Sequence, residues 1–189
     1  MTSVPKAYFE RLYAEHHDPW EFESSWYEQR KYQLTMACLP EPRYASAFEP
    51  GCSIGVFTEM LAERCDRVLA ADFMAAPVAR AAARFRGLHH VTVERLTLPD
   101  EWPDGPFDLV VLSEVAYYFD PDTLIEVMET AIGSAAPGAN LVAVHWRGPT
   151  DYPLSGDEAH ELMRAAPGLH QLARHWEEAF VLDVWRLAE

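Results

Sequence analysis

Residues 47–58 read Ala-Phe-Glu-Pro-Gly-Cys-Ser-Ile-Gly-Val-Phe-Thr, and this segment is the most informative part of the sequence about the fold. An apolar run ends in the acid Glu49, and two glycines, Gly51 and Gly55, follow it. Apolar side chains then recur at the three- and four-residue spacing of a helix. A strand can turn directly into a helix beside a ligand only where no Cβ obstructs the backbone, which accounts for the glycines. The stretch therefore predicts half of a nucleotide-binding α/β fold.

A second acid follows a second apolar run. Residues 67–71 precede Asp72, about where a carboxylate at a strand tip would accept hydrogen bonds from the two hydroxyls of a ribose. The glycines are spaced G-x-x-x-G rather than the G-x-G-x-x-G of dinucleotide binders, whose helix N-terminus meets a pyrophosphate. Glu49 would repel a pyrophosphate, whereas it is compatible with the amino group and sulfonium of S-adenosylmethionine. An NAD-dependent oxidoreductase is the alternative, although the third glycine is missing.

Length and composition indicate a single domain, residues 1–189. Hydrophobic residues make up 49% of the chain and charged residues 24%, which are globular values. We expect residues 1–40 to form an N-terminal helical lid and residues 41–189 to form a Rossmann-like core. The lid interpretation depends on the aromatic-rich segment 18–32, and the alternative is that these aromatics only cover the sheet edge.

The charge balance and the cysteine content exclude several classes of protein. The 30 acidic residues against 15 basic ones give a net charge of −15, so we expect no nucleic acid partner. No apolar stretch reaches the length of a membrane span, and the N-terminus has no signal-peptide core, so we expect a cytoplasmic protein with no membrane partner. The three cysteines lack metal-ligand spacing, which fits reduced thiols. The histidine pairs 16–17 and 89–90 are adjacent, so their side chains diverge, and we expect no metal cofactor.

From residue 44 onward, strand and helix patterns alternate, as in a parallel sheet with helices on both faces. We predict strands near 44–49, 67–71, 90–94, 107–112 and 139–146, and helices near 55–64, 74–85 and 121–135. Two earlier helices are predicted over 5–16 and from Ser24 or Ser25 to about 39. The tail, 169–187, contains two strand patterns with no helix between them. A terminal antiparallel strand there would give a seven-stranded, mostly parallel sheet.

Polar and aromatic side chains follow the fourth predicted strand, namely Ser113, Glu114, Tyr117 and Tyr118. In open α/β sheets, ligands bind beyond the carboxyl ends of the strands. We therefore expect these side chains to share one crevice with the glycine loop and Asp72.

Several motifs together resemble a known family. The loop 49–55 is similar to the E-x-G-x-G-x-G signature of class I methyltransferases, with Ser53 in place of the middle glycine, and Phe107-Asp108-Leu109 resembles their fourth motif. Five further segments resemble the NodS-like methyltransferases, namely Asp-Pro-Trp at 18–20, Trp-Tyr-Glu at 26–28, Ser-Glu-Val-Ala-Tyr-Tyr at 113–118, His-Trp-Arg at 145–147 and the segment 151–160. The resemblance runs from about residue 8 to the C-terminus.

The resemblance implies a class I Rossmann-like fold and a methyltransferase that uses S-adenosylmethionine, with S-adenosylhomocysteine as product. NodS-like proteins are related to the nodulation enzyme that N-methylates the deacetylated terminal glucosamine of a chitin oligosaccharide. The implied acceptor is a small amine, with amino sugars and oligosaccharides among the candidates. Two alternatives stay open: an O- or S-methyltransferase of a small metabolite, and a protein that binds the cofactor without catalysis. Either a monomer or a homodimer is compatible with the sequence.

The resemblance also implies which residues hold the cofactor. Gly51, Cys52 and Gly55 would lie against its methionine part, and Asp72 on the ribose hydroxyls. Phe73 or Met74 would contact the adenine, and Thr97 and Leu98 stand where family members often place an acid for the adenine amino group. The set is completed by Glu49, Ser113 and Arg30. Arg30, or Lys31 beside it, could clamp the methionine carboxylate, and the alternative is that both are solvated charges.

Methyl transfer is an in-line displacement, so the enzyme needs alignment, a dry pocket and, for an amine, a base. Glu114 and His145, each at the end of a central strand, are the candidate bases, and a structural hydrogen-bonding role is the alternative for His145. Tyr117 and Tyr118 would wall the methyl group or hydrogen-bond the acceptor. The residues predicted to contact the acceptor are Trp20, Tyr27, Tyr118, Arg147 and His160.

Overall fold

In the computed structural model, which describes residues 2–188, a seven-stranded sheet lies between two layers of helices. The strands are β1 (Ala47–Pro50), β2 (Val68–Asp72), β3 (Val91–Arg95), β4 (Phe107–Ser113), β5 (Ala135–Trp146), β6 (Leu169–Trp176) and β7 (Phe180–Leu187). The helices are α1 (Lys6–Glu15), α2 (Trp26–Cys38), α3 (Val56–Arg64), α4 (Ala75–Arg84), α5 (Pro121–Gly133) and α6 (Gly156–Arg164). A 3₁₀ turn, Ala116–Tyr118, follows β4.

The strand order is β3-β2-β1-β4-β5-β7-β6, and neighbouring strands are parallel except in the two pairs that involve β7. The predicted seven-stranded, mostly parallel sheet with an antiparallel C-terminal strand is therefore confirmed. The chain order reverses between β1 and β4, which leaves a crevice at their carboxyl ends. This topology is the Rossmann-like class I methyltransferase fold.

Local sequence signals set the start of two helices. Asp120 precedes α5, and its Oδ1 accepts a hydrogen bond from the backbone N–H of Thr123 at 3.2 Å. Before α6, Ser155 and Glu158 form a reciprocal capping box. Ser25 precedes α2 as predicted, but within residues 2–188 its side chain makes no capping hydrogen bond.

The first strand begins at Ala47, later than the predicted position 44. The backbone N–H groups of Ala45 and Ser46 donate to the carboxylate of Asp108, each at 2.7 Å, so they are not available to extend the strand ladder. Tyr44 forms an isolated parallel bridge with Cys65 instead.

The fifth helix ends at Gly133, slightly before the predicted position 135. The carbonyl of Ser134 accepts a hydrogen bond from the backbone N–H of Phe107 at 3.0 Å, so the chain joins the sheet at this point. Residues 136–138 therefore lie within β5, which begins earlier than the predicted position 139. The register of β5 on β4 shifts between Phe107 and Leu109 to accommodate them.

The central strands of the sheet are buried on both faces. Tyr32, Phe57 and Leu61, from α2 and α3, belong to the core cluster on one face. Leu124 and Met163, from α5 and α6, belong to the cluster on the other face. The helices therefore fix the sheet from both sides and leave its carboxyl edge open for a ligand.

Candidate functional site

A cavity of about 630 Å³ opens at the carboxyl ends of β1, β2 and β4. It lies where the strand order reverses, which is where ligands bind in open α/β sheets. Side chains from α1, from α2 and from the segment between them also line it. Its volume lies within the usual range for small-molecule sites.

Most of the residues predicted for the site line this cavity. They are Trp20, Tyr27, Glu49, Gly51, Cys52, Asp72, Phe73, Thr97, Leu98, Ser113, Glu114, Tyr117 and Tyr118. The other predicted residues lie off the cavity wall in the described part of the chain, namely Arg30, Gly55, Met74, His145, Arg147 and His160.

The loop between β1 and α3 has the backbone geometry that its glycines permit. Gly51 and Gly55 have φ angles of +76° and +81°, and Ser53, which replaces the middle glycine of the motif, also has a positive φ of +49°. A Cβ on Gly55 would lie 2.7 Å from Cε2 of Phe85, so Gly55 allows the loop to pack onto the end of α4. Gly55 therefore supports the loop from behind, whereas Gly51 presents bare backbone to the cavity.

The carboxylate of Asp72 ties the glycine loop to the end of β2. Its Oδ2 accepts a hydrogen bond from the backbone N–H of Ser53 at 3.1 Å, and its Oδ1 accepts one from the N–H of Met74 at 2.8 Å. Burial raises the pKa of Asp72 to about 6, although the backbone hydrogen bonds oppose this rise. Asp72 thus shapes the loop and also faces the cavity.

Glu49 is a second buried carboxylate on the same side of the cavity. Its Oε2 accepts a hydrogen bond from the hydroxyl of Thr58 at 2.6 Å. Burial raises the pKa of Glu49 to about 7, and the Thr58 hydrogen bond opposes the rise. Two carboxylates beside bare backbone suit a ligand that brings amino or hydroxyl donors, and they disfavour a phosphate.

The segment before α2 covers the cavity. Phe9 and Tyr13 of α1 are buried, and the hydroxyl of Tyr13 lies 2.6 Å from Oγ of Ser53 in the glycine loop. The backbone N–H of Val4 donates to the carbonyl of Tyr118 at 2.8 Å. The N-terminal segment is therefore bonded both to the glycine loop and to the turn that follows β4.

Glu114 anchors a buried polar cluster at the end of β4. It has a positive φ of +54°, and its Oε1 accepts a hydrogen bond from Nζ of Lys31 at 2.5 Å. Its Oε2 accepts hydrogen bonds from the hydroxyl of Tyr117 and from the backbone N–H of Trp146, the latter at 3.1 Å. Lys31 is fully buried and also donates to Oε1 of Glu28 at 2.9 Å. Helix α2 is thereby bonded to the cavity wall.

His145 and His160 lie behind the cavity wall rather than on it. Nε2 of His145 accepts a hydrogen bond from the backbone N–H of Ala116 at 2.9 Å, and the His145 ring stands edge-on to Tyr117. Nδ1 of His160 lies 2.7 Å from Oδ2 of Asp183. Burial lowers the pKa of both imidazoles, so both rings are neutral at pH 7.

The two predicted arginines are held in ion pairs. Arg30 makes two hydrogen bonds to the carboxylate of Glu177, at 2.7 and 3.1 Å. Arg147 makes two to Asp157, both at 2.7 Å, and its guanidinium lies 4.1 Å from the centre of the Trp176 ring. These pairs account for the absence of both guanidinium groups from the described cavity wall.

Some residues that line the cavity were not predicted from the sequence, including Tyr13, Glu28, Tyr32, Arg95 and Tyr152. Glu28 is three positions from Lys31 on α2, and this helical spacing of opposite charges was an available signal. Arg95 ends β3, so the rule that strand tips meet a ligand also pointed to it. Tyr152 lies in the segment 151–160 that resembles the NodS-like methyltransferases, but its side chain was given no role there.

No group of three or more His, Cys, Asp or Glu residues within positions 2–188 could hold a metal ion. Over the same positions, no helix has the length and apolar character needed to cross a bilayer. Cys38, Cys52 and Cys65 are free thiols.

Sequence comparison relates this chain to nodulation proteins. The family described as Nodulation protein S (NodS) matches residues 6–144. Nodulation protein S of Bradyrhizobium diazoefficiens is 31% identical over 132 residues, which cover 66% of this chain and 61% of that protein. Nodulation protein S of Rhizobium tropici is 31% identical over 130 residues, which cover 66% of this chain and 53% of that protein. The chain therefore spans less than two thirds of the length of these relatives.

Two solved structures are similar to this chain over most of its length. A Pseudomonas syringae protein of known crystal structure is 38% identical, with a TM-score of 0.78 over 86% of this chain and 99% of that chain. The N-methyltransferase NodS of Bradyrhizobium japonicum WM9, solved in complex with S-adenosyl-L-homocysteine, is 24% identical. Its TM-score is 0.86, and the alignment covers 97% of this chain and 98% of that chain. The likeness to the second structure extends over the whole fold.

Proposed function

The chain belongs to the nodulation protein S family, and on this premise we propose that it is an S-adenosylmethionine-dependent methyltransferase with a small amine as its acceptor. One observation carries the proposal. Two buried carboxylates, Glu49 and Asp72, stand beside the bare backbone of Gly51 on one side of a cavity at the strand ends. The relative from Bradyrhizobium japonicum, which has the same fold, was solved with the demethylated cofactor bound.

The residues on this side of the cavity suit the parts of S-adenosylmethionine. Gly51 and Cys52 offer close backbone approach to its methionine portion, and Asp72 offers carboxylate oxygens to its ribose hydroxyls. Phe73 and residues 97–98 supply apolar and polar contacts for the adenine. When bound, the cofactor supplies an electrophilic methyl group on a sulfonium.

The residues at the end of β4 align the acceptor and exclude water. Tyr117 and Tyr118 stand beside Glu114 at the end of β4. Burial raises the pKa of both phenols well above the usual value of 10, so they act as hydrogen-bonding groups and not as bases. His145 lies behind this wall, and we assign it to holding the 3₁₀ turn in place. Alignment in a dry pocket is the main requirement of an in-line displacement.

An amine acceptor is supported by the charge of the cavity. Its described lining contains four acidic residues and two basic ones, namely Glu28, Glu49, Asp72 and Glu114 against Lys6 and Arg95. A surplus of carboxylates attracts a cationic acceptor and gives no advantage to a phenol or a thiol. The Bradyrhizobium japonicum relative is described as an N-methyltransferase, which adds support.

The test is the transfer of a radiolabelled methyl group from S-adenosylmethionine to a panel of acceptors. The panel contains glucosamine oligomers with a free amino group, their fully N-acetylated counterparts, a simple phenol and a simple thiol. We expect labelled product from the free amines alone. Glu114→Gln should lower this turnover and leave the dissociation constant of S-adenosylhomocysteine unchanged, because Glu114 stands on the acceptor side.

Two results would count against the proposal in different ways. Transfer to the phenol or the thiol, with none to any amine, would exclude an amine as the acceptor but would leave the assignment as a methyltransferase in place. A wild-type protein that binds neither S-adenosylmethionine nor S-adenosylhomocysteine in calorimetry would remove the methyltransferase itself.

A further inference from the structure

Lys31 lies at the centre of a buried cluster with two carboxylates and one ammonium. Its Nζ is 2.5 Å from Oε1 of Glu114 and 2.9 Å from Oε1 of Glu28. The Lys31 side chain is 0% exposed, and the side chains of Glu28 and Glu114 are 9% and 11% exposed. Three ionisable groups therefore share one largely dry site.

The cluster carries one negative charge more than its own cation balances. Among residues 2–188, Lys31 is the only basic side chain within ion-pairing distance of Glu28 or Glu114. Tyr117 is a neutral phenol, and nearby His145 is a neutral imidazole. A buried charge without a partner is costly, so a second cation or a proton would be stabilised here.

The two carboxylates are not equally satisfied. Glu114 accepts hydrogen bonds from Lys31, Tyr117 and the backbone of Trp146. Oε2 of Glu28 is buried and accepts no hydrogen bond from the described residues, although it lies 2.8 Å from Nζ of Lys31. The Lys31 ammonium lies close to both oxygens of Glu28, and the hydroxyl of Tyr32 is a further donor beside this carboxylate, so Glu28 has two donor partners against three for Glu114. Glu28 is therefore the carboxylate with spare accepting capacity.

This spare capacity adjoins the cavity. Glu28 and Glu114 both line it, whereas Lys31 stands behind them. The terminal torsion of a glutamate is soft, so a modest rotation presents the free oxygen of Glu28 to a bound molecule. The rings of Tyr27 and Tyr32, which also line the cavity, lie 4.8 and 5.8 Å from Nζ of Lys31. These rings stabilise the Lys31 ammonium and keep it charged beside the two carboxylates.

We infer that Glu28 and Glu114 form the subsite for the protonated amine of the acceptor, and that Glu28 takes the proton that this amine must lose. The inference depends on the proposed function, since it names residues that select the acceptor. The proton passes from the ammonium nitrogen to a carboxylate oxygen of Glu28. This step leaves a neutral amine with a free electron pair and an uncharged Glu28. Glu114 stays paired with Lys31 throughout.

Burial and the neighbouring charge of Glu114 support this division of roles. Burial and Glu114 raise the pKa of Glu28, while Lys31 opposes the rise. A carboxyl group with a raised pKa is a better proton acceptor at neutral pH than an ordinary one. The subsite would reject an acceptor in which a hydroxyl or an acetamide replaces the amine.

The experiment compares two ligands that differ only in the charged group. A glucosamine dimer with free amino groups and cellobiose are titrated into the protein saturated with S-adenosylhomocysteine, so no turnover is involved. We expect the wild type to bind the amine about tenfold more tightly, the equivalent of one charged hydrogen bond. Glu28→Gln should bind the two ligands equally, and Glu28→Asp should recover part of the preference. Glu129→Gln, an exposed carboxylate of α5, is the matched control and should behave like the wild type.

Several outcomes would overturn the inference. A wild type without preference for the amine would do so even if no variant folds. A Glu28→Gln variant that keeps the full preference for the amine would also overturn it. An equal fold decrease in the affinity for both ligands, with the affinity for S-adenosylhomocysteine unchanged, would do the same. Methyl transfer to amines by the wild type, combined with any of these results, would preserve the proposed function and reject only the subsite.

Discussion

His145 and His160 form a hydrogen bond between two fully buried imidazoles, with Nδ1 of His145 3.0 Å from Nε2 of His160. Because the backbone N–H of Ala116 donates to Nε2 of His145, the His145 proton lies on Nδ1 and is donated to His160. His160 directs its own Nδ1 proton to Asp183. This chain of hydrogen bonds fixes the tautomer of each ring and ties the turn after β4 to β7.

Removal of the His145 imidazole should destabilise the protein. His145→Phe keeps a ring of similar size but leaves the buried N–H of Ala116 without an acceptor, so we expect a loss of about 1–3 kcal/mol in urea unfolding. His145→Gln, which retains a hydrogen-bonding side chain, should lose less. Equal stability of His145→Phe and the wild type would show that the chain does not support the turn.

The same imidazoles should make the protein sensitive to acid. Burial lowers their folded-state pKa values below the ordinary value of 6.5, so the unfolded chain takes up protons that the folded chain refuses. Their contribution to stability is therefore fully present above about pH 6.5 and declines as the pH falls below it. In thermal unfolding across this range, the gap in Tm between the wild type and His145→Gln should narrow on acidification. A gap that stays constant or widens would argue against neutral buried rings.

The glycine loop should tolerate no side chain at its second glycine. Gly55→Ala would force a positive φ of +81° on a residue with a Cβ and place that Cβ 2.7 Å from Phe85. The backbone strain alone should cost about 1–2 kcal/mol. Gly133→Ala is the matched control, because an added Cβ there meets nothing within 4 Å and a helical alanine is favourable. Chemical unfolding of both variants tests this contrast, and equal effects at the two positions would contradict it.

Cofactor binding should weaken as the pH falls. Burial raises the pKa of Glu49 to about 7 and that of Asp72 to about 6. A ligand with amino and hydroxyl donors requires both carboxylates ionised, so its binding below these values must displace protons. Calorimetry with S-adenosylmethionine should show that the affinity falls from about pH 8 to about pH 5. The fall should occur first as Glu49 takes up a proton and then as Asp72 does. Glu49→Gln should remove the upper part of this dependence, and an unchanged profile in that variant would exclude the assignment.

The strand pattern and the glycine loop were predictable because they depend on local sequence. Apolar runs, two glycines and the acids Glu49 and Asp72 lie close together in the chain, and the topology rules then bring their strand ends together. The antiparallel β7 was predictable because no helix separates its segment from β6. The exact limits of β1 were not predictable, because they depend on hydrogen bonds to Asp108, which is distant in sequence.

Which of two adjacent side chains faces the cavity could not be predicted. His145 and Trp146 both end β5, but successive strand residues point to opposite faces, so Trp146 lines the cavity and His145 faces α6. Arg30 and Lys31 are adjacent on α2 and point in different directions around the helix axis. Arg30 meets Glu177, which lies far away in the chain, and Lys31 turns into the buried cluster.

We propose that the two carboxylates Glu49 and Asp72 and the glycine loop hold the adenosyl cofactor at the strand ends. The most direct measurement is a crystal structure of the protein with S-adenosylhomocysteine. We predict that both ribose hydroxyls lie within hydrogen-bonding distance of the Asp72 carboxylate, with the sulfur facing Tyr117 and Glu114. A ligand bound outside this cavity, or bound in it with the ribose away from Asp72, would contradict this assignment of the cofactor site.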